Sequence, residues 1–146
     1  MPISLAFTRA AIAGLALSLP AALSAQEAAA GFDLQLNNAQ ANGENVCRLT
    51  MVAANRSDTP LSAVAYEVYL FDGEGAVTRR LALDFGEFIA GKTKILQFDL
   101  SNTPCQDISR ILINDATSCT AEGGGESDLC IQGLTASTRT QIQFGI

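Results

Sequence analysis

Apolar and polar side chains alternate with a period of two through most of this chain, and turn residues interrupt the rhythm every ten residues or so. Successive side chains of a strand point to opposite faces, whereas a helix repeats every 3.6 residues or so. A chain with this rhythm forms short strands whose oily faces must be buried against one another, as a sandwich or barrel. Phe32, Leu34 and Leu36 alternate with Asp33 and Gln35 and end at Asn37-Asn38. Cys47, Leu49, Met51 and Ala53 share one face of a second strand, with Arg48 and Thr50 on the other. Asn55 to Pro60 is a turn, because Asn, Ser and Asp bond their own backbone and proline cannot donate to a ladder. Val64, Tyr66, Val68 and Leu70 form the inward face of a third strand, and Ala65, Glu67, Tyr69 and Phe71 its outward face.

Asp72-Gly73-Glu74-Gly75 supplies a tight reversal into a fourth strand that holds Val77, Leu81, Leu83 and Phe85. Leu96, Phe98 and Leu100 point inward on a fifth, after the turn Ala90-Gly91-Lys92. Ile108 to Ile113 is a sixth strand, apolar apart from Ser109 and Arg110. Ser118 to Leu129, glycine-rich and acidic, is expected to be the loosest region. Ile131 to Leu134 and Thr140 to Phe144 add one or two final strands. There is no helical period of useful length and no internal repeat.

The N-terminus follows a different pattern. Arg9 precedes an uncharged apolar stretch, Ala10 to Leu19, then Pro20 and the small residues Ala21 to Ala25. A cation, a short apolar core and a small-residue exit are the layout of a secretory signal peptide. The core is shorter than the roughly 20 residues a bilayer span needs. Cleavage is expected near Ala25, leaving residues 26–31 as a flexible start and residues 32–146 as one domain. A mature chain of about 120 residues fits one core. The expected location is the periplasm or the exterior, with no membrane insertion after cleavage.

Nine Lys and Arg face fifteen Asp and Glu, and loss of Arg9 leaves eight against fifteen. That balance argues against nucleic acid, which rewards clustered cations. Protein is the expected partner. The four cysteines, Cys47, Cys105, Cys119 and Cys130, are an even set in a small exported domain and imply two disulfides. Sequence alone allows three pairings. Cys119 and Cys130 flank Gly123-Gly124-Gly125, where a tight return costs little, which leaves Cys47 for Cys105.

The span Val46 to Leu100 resembles the FxLYD-type domain of bacterial envelope proteins. The matching residues are Asn55, Ser57, Asp58 and Pro60, then Tyr69-Leu70-Phe71-Asp72-Gly73, then Ala90-Gly91-Lys92. Tyrosine and phenylalanine are exchanged around Leu70 relative to that family's signature. The whole mature chain is similar to small exported proteins of alphaproteobacteria of undefined role. The resemblance implies an immunoglobulin-like sandwich and transfers no catalytic residue. Combined with the alternation, the expected fold is all-β: a single antiparallel immunoglobulin-like sandwich of about seven strands.

The chain has no histidine, which removes Ser-His-Asp and Cys-His chemistry and the usual catalytic zinc sites. The cysteines, spaced 58, 14 and 11 residues apart, lack the close pairs of a Cys₄ site. No catalytic residue, metal site or cofactor is assigned. Asp84 and Glu87 are the carboxylates weighed for glycoside chemistry; solvated surface charge explains them more simply. Asp72 and Glu74 offer calcium too few oxygens, and Glu122, Glu126 and Asp128 read as an acidic loop. Tyr69 and Phe71, facing away from the core, are the candidate partner surface. The expected function is a non-catalytic exported module that binds protein or serves as an envelope accessory. Next comes a pilus-like assembly subunit exchanging its alternating tail, Thr140 to Ile146. A carboxylate- or metal-dependent enzyme is third.

Overall fold

The computed structural model describes residues 30–146; the signal peptide expected over residues 1–25 and the next four residues lie outside them. Eight strands build the domain: β1 (Phe32–Ala41), β2 (Val46–Asn55), β3 (Leu61–Phe71), β4 (Val77–Phe88), β5 (Thr93–Ser101), β6 (Arg110–Ala121), β7 (Leu134–Thr138) and β8 (Gln143–Gly145). One helical turn, Cys105–Asp107, links β5 to β6. The strands form two four-stranded sheets, ordered β5-β2-β1-β7 and β4-β3-β6-β8. The fold is an all-β sandwich.

The period-two residues meet between the sheets. Phe32, Leu34 and Leu36 of β1, Leu49 and Met51 of β2, and Val64, Tyr66, Val68 and Leu70 of β3 are all buried in one cluster. Phe32 meets Phe88 edge-on at 4.9 Å between centroids, and Tyr66 meets Phe85 at 5.8 Å. Such edge-to-face pairs add ~1 kcal/mol each to what burial alone contributes.

Two pairings are parallel, β1 with β7 and β6 with β8, where antiparallel ladders throughout were expected. A period of two assigns faces and is silent about direction. β7 and β8 each add an edge strand, so the count reaches eight; of the segment Ile131 to Leu134 expected as strand, only Leu134 belongs to β7 and the rest is turn.

Bulges account for the other departures. β1 does not stop at Asn37-Asn38: the register slips by one between Leu36 and Asn38, and the ladder continues to Ala41. In β4 the register jumps between Gly86 and Asp84, leaving Phe85 as the extra residue. Gly86 takes φ +71°, which glycine adopts without a Cβ penalty, and its N–H donates to Asp84 Oδ1 at 2.8 Å. The phase change buries Phe88, which simple alternation does not select. At the other end of β4, a slip beside Leu70 and Phe71 turns Val77 outward, 55% exposed, out of phase with Leu83 and Phe85.

β6 starts later and runs further than Ile108 to Ile113. It includes Ser118 to Ala121, so the first part of the supposed loose region is strand. The loop beyond is held as well: Ser127 N–H donates to the Cys119 carbonyl at 2.8 Å and Ala121 N–H to the Gly125 carbonyl at 2.7 Å. Gly31, placed in a flexible start, is buried, and its carbonyl accepts Arg56 N–H at 2.8 Å. A Cβ on Gly31 would sit 2.2 Å from the Gly133 carbonyl oxygen, so only glycine allows β1 and the loop before β7 to approach this closely.

Candidate interaction surface

The alternation of β3 that buries Val64, Tyr66, Val68 and Leu70 aims Ala65, Glu67, Tyr69 and Phe71 at the opposite face. Cross-strand register decides their neighbours, since directly paired residues share a face. Tyr69 lies between Arg80 of β4 and Leu112 of β6, and Phe71 between Val77 and Arg110. Tyr69, Phe71 and Leu112 are each half-buried. The Arg110 guanidinium lies over the Phe71 ring, 5.4 Å from its centroid. Arg80 Nη1 donates to Glu67 Oε2 at 3.0 Å, and Asn114 Nδ2 donates to Glu67 Oε1 at 2.8 Å. The outward face of the β4-β3-β6-β8 sheet thus carries two aromatic rings, a leucine and two arginines on a rigid ladder.

Tyr69 and Phe71 are the pair singled out by alternation. Arg110, Leu112 and Arg80 were not. Their period-two positions were readable, but β6 is not joined to β3 by a hairpin whose turn would set the register, and β4 slips against β3 between Leu70 and Phe71, so neither pairing could be counted from spacing.

The structure joins Cys47 to Cys105 and Cys119 to Cys130, with Cα separations of 4.8 and 6.0 Å. The first bond ties the start of β2 to the helical turn; the second closes the loop after β6. That loop has another anchor: the buried Tyr66 hydroxyl donates to the Cys130 carbonyl at 2.8 Å. Burial raises the Tyr66 phenol well above its ordinary value. No spacing rule pointed to this contact across 64 residues. The other face, on the β5-β2-β1-β7 sheet, is mostly polar around the exposed Ile95, with Arg48 and Arg56 paired. Arg48 and Asp99 make two bonds of 2.7 Å, and the hydrogen bond from Arg48 holds the Asp99 carboxyl below the usual range.

The carboxylates weighed for catalysis are dispersed. Asp84 accepts the Gly86 N–H at the bulge. Glu87 and Glu122 border a cavity of about 120 Å³ beside Phe88 and Ile89. Asp72 Oδ1 accepts the N–H groups of Glu74 and Ala76, which closes the β3–β4 hairpin. Glu126 and Asp128 line a separate depression near Thr59. Among the described residues, no group of three or more Cys, Asp or Glu is placed to hold a metal ion. Among them too, no helix is long and apolar enough to cross a membrane.

No family model and no curated protein matches the chain. Among solved structures, IrmA from Escherichia coli is similar, with a TM-score of 0.55 at 12% identity. The alignment covers 73% of this chain and 90% of IrmA. At that identity the likeness speaks for the sandwich fold alone.

Proposed function

We propose that the chain is an exported, non-catalytic sandwich module that binds a protein through the outward face of its β4-β3-β6-β8 sheet. Tyr69 and Phe71, partly exposed beside Leu112 and flanked by Arg80 and Arg110, carry this reading. Aromatics and arginine are the residue types that dominate binding energy when a partner desolvates them. Held on paired strands, they lose little conformational freedom on binding. Periplasmic or extracellular placement is supported by the signal-like N-terminus and by two disulfides, which persist in oxidising compartments.

Strand exchange has weaker support, because Gln143 to Gly145 of the tail already pair with β6 of the same chain. The enzyme reading is weaker still, its carboxylates being scattered, with Asp72 and Asp84 engaged by backbone N–H groups.

The test is a pull-down with the mature protein, followed by purification of the enriched partner and calorimetric titration. The double variant Tyr69→Ala, Phe71→Ala should weaken binding at least about tenfold, ~1.4 kcal/mol, with an unchanged circular dichroism spectrum. A partner that binds the double variant with the same Kd refutes this surface.

A further inference from the structure

The same sheet face is graded along its strands. One end carries Val77, Phe71 and Arg110 in one row and Arg80, Tyr69 and Leu112 in the next. The other end carries Ala82, Glu67 and Asp115, then Asp84, Ala65 and Ser118. Bulk and positive charge therefore sit at one end, small side chains and negative charge at the other. On this face, among the described residues, only Arg80 and Glu67 pair, at 3.0 Å. Among the described residues, Arg110 forms no ion pair with a carboxylate, nor do Asp84 and Asp115 with a cation.

We infer that this face docks against the same face of a second copy, related by a two-fold axis that runs across the strands near Val68. This rests on reading the face as a protein contact, and it names the partner. The two-fold reverses strand direction, so each bulky end meets the other's small end. Phe71 comes over Ala65, Arg80 over Ala82, and Arg110 reaches the Asp115–Ser118 stretch of the facing β6. A foreign partner has no reason to use both ends of this gradient. A two-fold copy uses each end twice, as a self-complementary interface must.

From the Phe71 row to the Ala65 row is six residues of β3, about 20 Å at ~3.3 Å per residue. Three strands of that length, about 4.8 Å apart, offer roughly 300 Å² of projected face, short of the ~800 Å² per partner typical of stable complexes. The dimer is therefore weak and concentration-dependent. The chain's formal net charge of −6 opposes it at long range. At about 0.15 M salt the Debye length of ~8 Å screens that repulsion while leaving close contacts largely intact.

Sedimentation velocity from about 10 μM to about 1 mM in such a buffer tests the inference. The wild type should shift from monomer toward dimer as concentration rises. Arg110→Glu and Asp115→Lys each set like charges together at both symmetric contacts, so each alone should remain monomeric. An equimolar mixture restores opposite charges at both contacts and should associate. Both positions face outward, and circular dichroism melts verify folding; Arg110→Gln and Asp115→Asn replace any variant that melts early, each weakening association. A wild type monomeric throughout overturns the inference while leaving binding of a different protein through Tyr69 and Phe71 standing. Association unaffected by either charge change, or a mixture that stays monomeric, overturns it equally.

Discussion

Removal of a single hydroxyl, Tyr66→Phe, tests how the core holds the loop between β6 and β7. The ring is fully buried and keeps its contacts with Phe32 and Phe85 when the oxygen is deleted. Only the 2.8 Å bond to the Cys130 carbonyl disappears. Cys130 is buried, and among the described residues no other donor bonds that carbonyl. An ordinary intramolecular hydrogen bond contributes about 1 kcal/mol, but a buried group left without a partner costs about 1–3 kcal/mol. The expected loss is therefore about 1–2 kcal/mol at neutral pH, from a total of about 5–15 kcal/mol for a domain of this kind. The variant should fold, with a lower urea midpoint and an unchanged slope. Alkaline pH supplies an independent arm. Burial lifts the Tyr66 phenol, so above about pH 10 the unfolded chain loses a proton that the folded chain keeps. Wild-type stability thus falls with rising pH by up to about 1.4 kcal/mol per unit from this group, and Tyr66→Phe lacks that slope. The stability gap between the two proteins should narrow from about pH 10 upward. A neutral-pH loss under about 0.5 kcal/mol, with identical alkaline slopes, refutes the anchoring role.

Other outcomes follow from the same structure. Replacing Cys47 and Cys105 by alanine releases a crosslink spanning 58 residues and should cost about 4 kcal/mol by urea titration; removing the 11-residue crosslink of Cys119 and Cys130 should cost about 3. Asn55→Ala should cost roughly 2–4 kcal/mol by thermal melting, because the buried amide bonds the Thr59 carbonyl and both the N–H and hydroxyl of Ser57. Arg56→Ala, which breaks only an exposed pair with Asp33, should cost less than about 1 kcal/mol. In a carbon-detected NMR titration Asp99 should ionise below the usual aspartate range, and Arg48→Ala should return it there.

The buried faces of β1, β2, β3 and β5 were legible because each is an unbroken run of alternation. So were the outward placement of Tyr69 and Phe71 and the glycine-loop argument for Cys119 with Cys130. What failed did so where one residue was inserted. The Gly86 bulge moved the core position from Glu87 to Phe88, and a slip near the hairpin turned Val77 outward. Gly86 itself was a visible signal, since a lone glycine in a strand pattern often marks a bulge. The parallel edges β7 and β8 had no such mark. Their direction depends on the path of the chain around the sandwich, which side-chain period does not encode. The Tyr66 bond to Cys130 was hidden for a related reason, as it joins a core strand to a loop through one hydroxyl and one carbonyl.

Edges and faces compete as places for another chain to join a sandwich, and here the edges are protected. Open strands invite pairing unless they are short, charged or bulged. β7 and β8 span five and three residues. Beyond Leu112, β6 slips twice against β3, with Asn114 and Thr117 as the extra residues, which breaks the regular spacing a new strand would need. On the other side, Lys94 of β5 donates to the Phe85 and Glu87 carbonyls of β4 and sits 4.5 Å over the Phe88 ring, fastening the two sheets together where β4 bulges. The faces differ from each other too. On the first sheet, arginine and aspartate cancel as Arg48 with Asp99 and Arg56 with Asp33, which leaves little charge for a partner to satisfy. On the second, among the described residues, Arg110 rests on an aromatic ring with no carboxylate beside it, and Asp115 lies unpaired midway along the same strand. A charge left unmatched on a rigid surface costs little in water and gains most when its complement arrives, which is why contact is argued for this face.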